Sequence, residues 1–458
     1  MRPTLAVLSV AQFLIALDYS IIYIALPSVA ADLRLEPSLA QWIVSAYAVL
    51  FAGFLVVGGR LTDRVGAKRL FVGAVVFFGL ASAAGGVAAN GTVLLAARGA
   101  QGLGAALLQP AIIGLIGTTF PAGQARSRAL AVWGAVGASG LAAGSVLGGV
   151  LTTASWRLTF VINVPLTLLC AAGALVWVRA AAVTGSSRIP VRAAALGTGT
   201  VLTLVLGLTI GADQGWLAWP TLTGLGLAAV LFGAFVRNER HAPLIEPAVR
   251  RVRTLRAGAA ATALYMASVG SEFYLLTLLL QDGKGYDALA AGLAFVPLAV
   301  LVTAGNGAAG RALRTYRPAV VLAAGFAAAT AGLLWLALAL PGDSYAADLL
   351  PGLLLSGLGH GVIYTSMFVI GTRDVPAAHQ GTAGALLTTS QYLSAAVTVA
   401  VLTLVLGPAP DDTAFRVAFL VTATAAAAGL TLATSGYARE TAQLRMNTAP
   451  TGPVCPTA

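Results

Sequence analysis

Four ionisable side chains stand apart from the other charges of this chain, because each lies deep within a long apolar stretch: Asp18, Arg98, Glu272 and His360. An isolated charge in mid-bilayer costs at least ~2.5–3.5 kcal/mol, so each needs a partner, a wet cavity or a change of protonation. A carboxyl and a guanidinium held together in such a place suit proton transfer. Burial favours the neutral acid, a nearby guanidinium favours its anion, and a small movement of one against the other loads or releases a proton. Asp18 and Arg98 are the candidates for that switchable pair. Glu272 is the candidate for a second proton carrier or an anionic site for a cationic ligand. The alternative for each is a static ion pair that fixes helix register. His360, between Gly359 and Gly361, could titrate, line a cavity or simply bond neighbouring backbone.

The elements that must position these groups are membrane helices. Fourteen apolar stretches of about 17–27 residues are each long enough to cross a ~30 Å hydrocarbon layer. They are expected at 5–26, 40–59, 70–90, 92–118, 129–151, 158–178, 193–212, 218–236, 257–281, 288–310, 318–340, 349–371, 380–406 and 417–437. The first is read as a retained helix, since Asp18 interrupts it and further spans follow. Arg and Lys fall almost entirely at the two ends and in the even-numbered gaps. The odd-numbered gaps hold only Arg34, Arg157, Lys284 and Arg416. Short basic loops stay in the cytoplasm, so both termini are expected there. At ~1.5 Å per residue, Asp18 lies roughly 13 Å below Pro27, Arg98 roughly 10 Å below Gly91 and Glu272 roughly 13 Å below Gln281. Three charges from separate parts of the chain thus share one layer.

Composition excludes other classes. With 58% hydrophobic and 9% charged residues, the chain cannot be a soluble globule. The net charge of +11 is spread over short loops facing one side, so topology accounts for it and no nucleic-acid surface is needed. Only Lys68 and Lys284 of the 27 basic residues are Lys, and the Ala-, Gly- and Arg-heavy composition suits a GC-rich bacterial genome. Cys170 and Cys455 lie in settings too different to form a disulfide framework. No Gly-x-x-x-x-Gly-Lys-[Ser/Thr] loop occurs, so no nucleotide is expected. No His/Cys/Asp cluster points to a metal, a cofactor or an intramembrane enzyme, and the loops are too short for a sensor domain. The energy for any transport must come from an ion gradient or from the substrate's own.

The spans fall into two six-helix sets, with a weak echo between them: Gly59-Arg60-Leu61-Thr62-Asp63-Arg64 in the second gap of the first set, Gly310-Arg311-Ala312-Leu313-Arg314 in that of the second. The expected organisation is a six-helix bundle over 1–185, a two-helix insert over 186–240, a basic cytoplasmic linker over 241–256, a second bundle over 257–437 and a disordered cytoplasmic tail over 438–458.

Several stretches resemble the major facilitator superfamily, specifically its fourteen-helix drug:proton antiporter branch. Gly59 to Arg69 is similar to the superfamily's loop between helices 2 and 3, although Ala67 stands where a basic residue is usual. Its glycines allow a tight turn, and Asp63 can accept from helix N-termini or basic partners. Leu94-Leu95-Ala96-Ala97-Arg98-Gly99-Ala100-Gln101-Gly102 resembles the helix 4 motif with its buried Arg. Gly140-Leu141-Ala142-Ala143-Gly144-Ser145-Val146-Leu147-Gly148-Gly149 resembles the helix 5 antiporter motif, with Ser145 in place of the usual Pro. Leu17-Asp18-Tyr19-Ser20 through Pro27, and Trp156-Arg157 through Asn163-Val164-Pro165, are similar to the branch's helix 1 and helix 6 signatures. The second half matches in layout, in Leu279-Leu280-Gln281 and in Gly292 to Pro297.

The resemblance implies an all-α polytopic membrane protein: two six-helix bundles plus two inserted helices, in a bacterial plasma membrane. It implies a proton-coupled exporter of hydrophobic or amphipathic drugs, antibiotics or secondary metabolites, working by alternating access as a monomer among lipids. The alternative is a proton symporter or facilitator importing a small solute. Gly59, Asp63, Arg64 and Gly66 would form a conformational latch, and Gly140, Gly144, Gly148 and Gly149 a packing surface or a leak-blocking hinge. Tyr19, Tyr23, Gln41, Trp133, Asn163, Tyr265, Tyr274, His360 and Gln391 are candidates to line the drug cavity, or else packing and interface residues.

Overall fold

A computed structural model describes residues 2–180, 190–286, 288–340, 344–407 and 410–448; the side chains of 37, 38, 41, 145, 212, 213, 282, 288, 289 and 436–448 are not described. Among the described residues every regular element is helical. This follows from the solvent: in hydrocarbon each backbone N–H and C=O must be satisfied within its own segment.

Among the described residues, fourteen helices are long and apolar enough to cross a membrane. They are α1 Arg2–Asp32, α2 Trp42–Val65, α3 Ala67–Gly86, α4 Gly91–Thr119, α5 Gln124–Ala154, α6 Leu158–Trp177, α7 Val191–Gly211 and α8 Trp219–Asn238, then α9 Arg253–Gln281, α10 Ala290–Ala312, α11 Pro318–Ala339, α12 Tyr345–Thr372, α13 Ala377–Leu406 and α14 Asp412–Ser435. Several outrun their apolar cores. The backbone of α14 stays helical to Thr448, so 438–448 is not the irregular tail the sequence suggested, and 449–458 lies outside the described residues.

The two six-helix sets pack alike. In the first, α1 lies on α5, α2 on α4, and α3 on both α4 and α6. In the second, α9 lies on α13, α10 on α12, and α11 on both α12 and α14. The halves meet where α2 and α4 face α13 and where α5 faces α10 and α12. The hairpin of α7 and α8 joins through α7, which packs on α2 and α13 and so lies along one seam. Large side chains of α8, such as Leu227, Val230 and Phe232, are exposed, as lipid-facing residues should be.

Candidate functional site: two buried charge clusters and a latch

Asp18 and Arg98 meet, each only 1% exposed. The carboxylate of Asp18 accepts three hydrogen bonds. Arg98 Nη1 reaches Oδ2 at 2.8 Å, while Gln101 Nε2 and Asn163 Nδ2 reach Oδ1 at 2.9 and 2.7 Å. Arg98 Nη1 also donates to Gln101 Oε1 at 3.0 Å, and its Nε donates to the Ile43 carbonyl at 3.3 Å. Its guanidinium lies 4.5 Å above the ring of Tyr47. Ser82 Oγ accepts from Gln101 and Asn163 and donates to the Phe160 carbonyl. Five helices, α1, α2, α3, α4 and α6, thus converge on one ion pair. That satisfaction is what makes two buried charges tolerable, because desolvation alone would outweigh their attraction.

The glycines of α5 set how close α1 can come. A methyl at Gly140 would lie 2.7 Å from the Phe13 carbonyl, one at Gly144 2.7 Å from the Leu17 carbonyl, and one at Gly148 3.1 Å from Ile24 Cβ. Gly149 differs: a methyl there meets nothing within 4 Å, so the packing stripe ends at Gly148.

Glu272 and His360 form a second, fully buried cluster. Ser356 Oγ donates to Glu272 Oε1 at 2.6 Å, and His360 Nδ1 lies 3.3 Å from Oε2 without the geometry of a hydrogen bond. Nε2 of His360 has no partner among the described residues. His360, on α12, therefore faces Glu272 of α9.

Each cluster continues into rings that reach the opposite half. From Arg98 the track runs over Tyr47 to Phe51, 5.9 Å away, and on to Tyr392 of α13 at 4.7 Å. From His360 it runs to Tyr265 at 5.9 Å, to Tyr364 at 5.7 Å and to Trp133 of α5 at 5.5 Å. Of the expected cavity residues, Trp133 and Tyr265 are buried in this second track. Asn163 is bound to Asp18. Tyr19 and Tyr23 lie 5.7 Å apart on α1, with Tyr23 49% exposed. Tyr274 OH is 3.5 Å from Thr403 Oγ1, and Gln391 Nε2 is 3.9 Å from Met266 Sδ. The side chain of Gln41 lies outside the described ones.

The face that carries most of the basic loops, here the basic face, holds the two halves together. Asp63, at the end of α2, accepts from Gly381 N and Thr382 N at 3.0 Å each and from Thr382 Oγ1 at 2.5 Å, at the start of the α-helical part of α13. A helix N-terminus offers unpaired N–H groups and positive potential to such a carboxylate. Gly66, with φ of 97°, ends α2 in the left-handed region and turns the chain into α3. A methyl at Gly59 would lie 2.5 Å from Ala385 Cβ, so this glycine permits close contact with α13. Arg64 is exposed, so the grip is made by Asp63.

A family model described as Major Facilitator Superfamily matches residues 8–399. The chain is 36% identical over 406 residues to the cephamycin export protein CmcT of Amycolatopsis lactamdurans, covering 87% of this chain and 83% of that protein. It is 33% identical over 404 residues to the puromycin resistance protein pur8 of Streptomyces alboniger, covering 87% and 80%. Among solved structures it is similar to the human organic anion transporter MFSD10 (TETRAN), with a TM-score of 0.69, 16% identity and coverage of 94% of this chain and 99% of that one. FucP in its outward conformation gives 0.66, 16%, 94% and 97%. At such identity the two structures speak for the fold alone.

Proposed function

The chain belongs to the major facilitator superfamily, and we propose that within it this protein is a proton-coupled exporter of hydrophobic or amphipathic antibiotics or other secondary metabolites. The relatives named for cephamycin export and puromycin resistance support the export reading and the substrate class. The observation that carries the proton coupling is the hydrogen-bonded Asp18–Arg98 pair at the centre of five helices.

In this reading the basic face is cytoplasmic. The halves rock about the clusters, so that the interior opens to one side at a time. The arrangement at hand, gripped at the basic face by Asp63, is the outward-facing one. Asp18 holds its negative charge while Arg98, Gln101 and Asn163 point at it. In that state a slide of α1 along the glycine stripe of α5 lengthens those bonds, and the carboxylate takes a proton from water on the outer side in their place. Once the halves have rocked to face the cytoplasm, return of the donors expels that proton there, so each cycle moves a proton inward as substrate moves out. The ring tracks tie each cluster to the opposite half, so a flat apolar substrate that displaces the rings also displaces the charges they contact. Glu272, with its second oxygen outside any hydrogen bond, serves as the anionic contact for a cationic group or as a second proton carrier.

The test is dye accumulation in inverted vesicles, the counterpart of efflux from the cell, energised by a proton gradient, with and without a protonophore. Wild-type efflux should collapse with the gradient, and Asp18→Asn should be uncoupled even with the gradient intact. Unchanged, gradient-driven efflux in Asp18→Asn would remove the assignment.

A further inference from the structure

Asp63 is not the only acid that grips the start of α13. Glu246, in the segment between α8 and α9, turns one carboxylate oxygen to each half of the protein. Its Oε1 accepts from Arg60 Nη1 at 3.1 Å, on α2 of the first half. Its Oε2 lies 3.3 Å from His379 Nε2, at the beginning of α13 in the second half. Arg60 is 6% exposed although it carries a charge at the end of a helix. Arg60 lies one turn before Asp63 on α2, and His379 lies two and three residues before the atoms that Asp63 binds. Two acids therefore hold one short stretch, 379–382, from two directions.

The position of Glu246 is built, not incidental. Leu244, two residues earlier, is 1% exposed and packs with Ala193 and Ala194 of α7, Val56 and Val57 of α2, and Phe235 of α8. The backbone N–H of Leu244 donates to Glu239 Oε1, which folds the segment back against the end of α8. Val249, on the far side of Glu246, is also 1% exposed and belongs to the main core. Two buried apolar anchors thus bracket an acid whose oxygens point at opposite halves. The inserted pair packs against the first of those anchors, and α7 itself lies along the seam of α2 with α13.

We infer that the segment leaving the inserted hairpin is a strap, and that Glu246 is a positioning residue that closes the basic face by holding Arg60 and His379 at once. An ion pair with one partner buried and the other partly exposed contributes only modestly, at the upper end of surface pairs. It counts here because the equilibrium between facing states is itself balanced to within a few kcal/mol. When the halves part at this face, Arg60 and His379 separate and one carboxylate cannot follow both. The strap contact therefore exists in one facing state only, which is the condition for shifting the population. This inference rests on the alternating-access reading above.

The test uses the full-length protein with Cys170 and Cys455 replaced by Ser, spin-labelled at Ala122→Cys and Thr315→Cys and reconstituted in lipid nanodiscs. Both positions are exposed, on basic-face loops of different halves. Pulsed dipolar spectroscopy reads the ratio of short to long distances. Glu246→Gln should shift that ratio toward the long distance by about fivefold. Arg60→Gln should shift it similarly, and the double variant should go no further than either single one. His379→Gln, at a half-buried site, gives a second measure if Glu246→Gln does not assemble, and should move the ratio the same way. A ratio unchanged in Glu246→Gln, or an additive double variant, overturns the strap. A single distance in the parent protein at every substrate concentration overturns alternating access itself, a separate failure.

Discussion

Gly144 and Gly149 lie on the same helix with identical side chains, yet the structure assigns them opposite fates, which makes a sharp test. An alanine methyl at Gly144 would sit 2.7 Å from the Leu17 carbonyl and 3.2 Å from the Ile21 backbone nitrogen, with Ser20 Oγ closer still. Two of those three obstacles are backbone of α1, which cannot rotate away as a side-chain tip can. Relief requires α1 and α5 to separate by several tenths of an ångström. Overpacking of this kind costs about 1–3 kcal/mol. Leu17 is the residue before Asp18, so the separation also draws Oδ1 and Oδ2 away from donors held at 2.7–2.9 Å on α4 and α6. Gly149→Ala meets no atom within 4 Å and gains the better helix propensity of Ala, roughly 1 kcal/mol at most. The assay pairs thermal unfolding in detergent with gradient-driven dye efflux for both variants. Gly144→Ala should lose stability and most of its coupled efflux, whereas Gly149→Ala should keep both. Equal losses in the two variants would refute the packing account of the stripe.

Other outcomes follow from the same geometry. Arg98→Lys should lose at least tenfold in coupled efflux, because one ammonium cannot serve Asp18, Gln101 and the Ile43 carbonyl from the same place. Asp63→Asn keeps the shape but loses charge-assisted bonds to the start of α13, at about 1–3 kcal/mol, and the same distance measurement used for the strap should show the basic face opening. Trp133→Ala removes a fully buried ring from the seam and should cost about 3–5 kcal/mol of stability by detergent melting, with Trp133→Phe recovering most of it. Glu272→Gln should change the ranking of cationic over neutral substrates in competition assays while gradient-driven efflux of neutral substrates persists.

The layout was readable because lipid imposes a simple code: apolar runs of fixed length, basic loops on alternate gaps, and few charges between them. Asp18 and Arg98 could be matched across eighty residues because a buried charge demands a partner and the two share a depth. Gln101 was within reach of the same reasoning, since three residues on a helix bring it to the face of Arg98. Ser82 and Ser356 were not, because a serine in a membrane helix usually satisfies its own backbone and nothing local marks an exception. Tyr47, Tyr364 and Tyr392 carry no signal of their own; they matter through rings contributed by other helices. The bond from the Asn163 amide to Asp18 carried no signal either, since it is set by where α6 crosses α1. Gly149 belonged to the glycine pattern by spacing alone, and five residues beyond Gly144 its Cα hydrogens point away from α1.

The two carboxylates are unequal in a way that bears on how the proposed exchanger divides its labour. Asp18 accepts three hydrogen bonds, from Arg98, Gln101 and Asn163, all from its own half. Glu272 has one bond, from Ser356, and a second oxygen 3.3 Å from a histidine that is poorly aimed at it. An acid held by three bonds responds to helix displacement; one held by a single bond is open to a new partner. In the proposed exchanger this contrast favours coupling at Asp18 and ligand discrimination at Glu272. The ring track from His360 through Tyr265 and Tyr364 to Trp133 carries contact from α12 across the seam to α5. Because α5 also carries the glycines that pack on α1, a substrate at Glu272 would, in the proposed exchanger, need no direct contact with Asp18 to alter its grip on the proton.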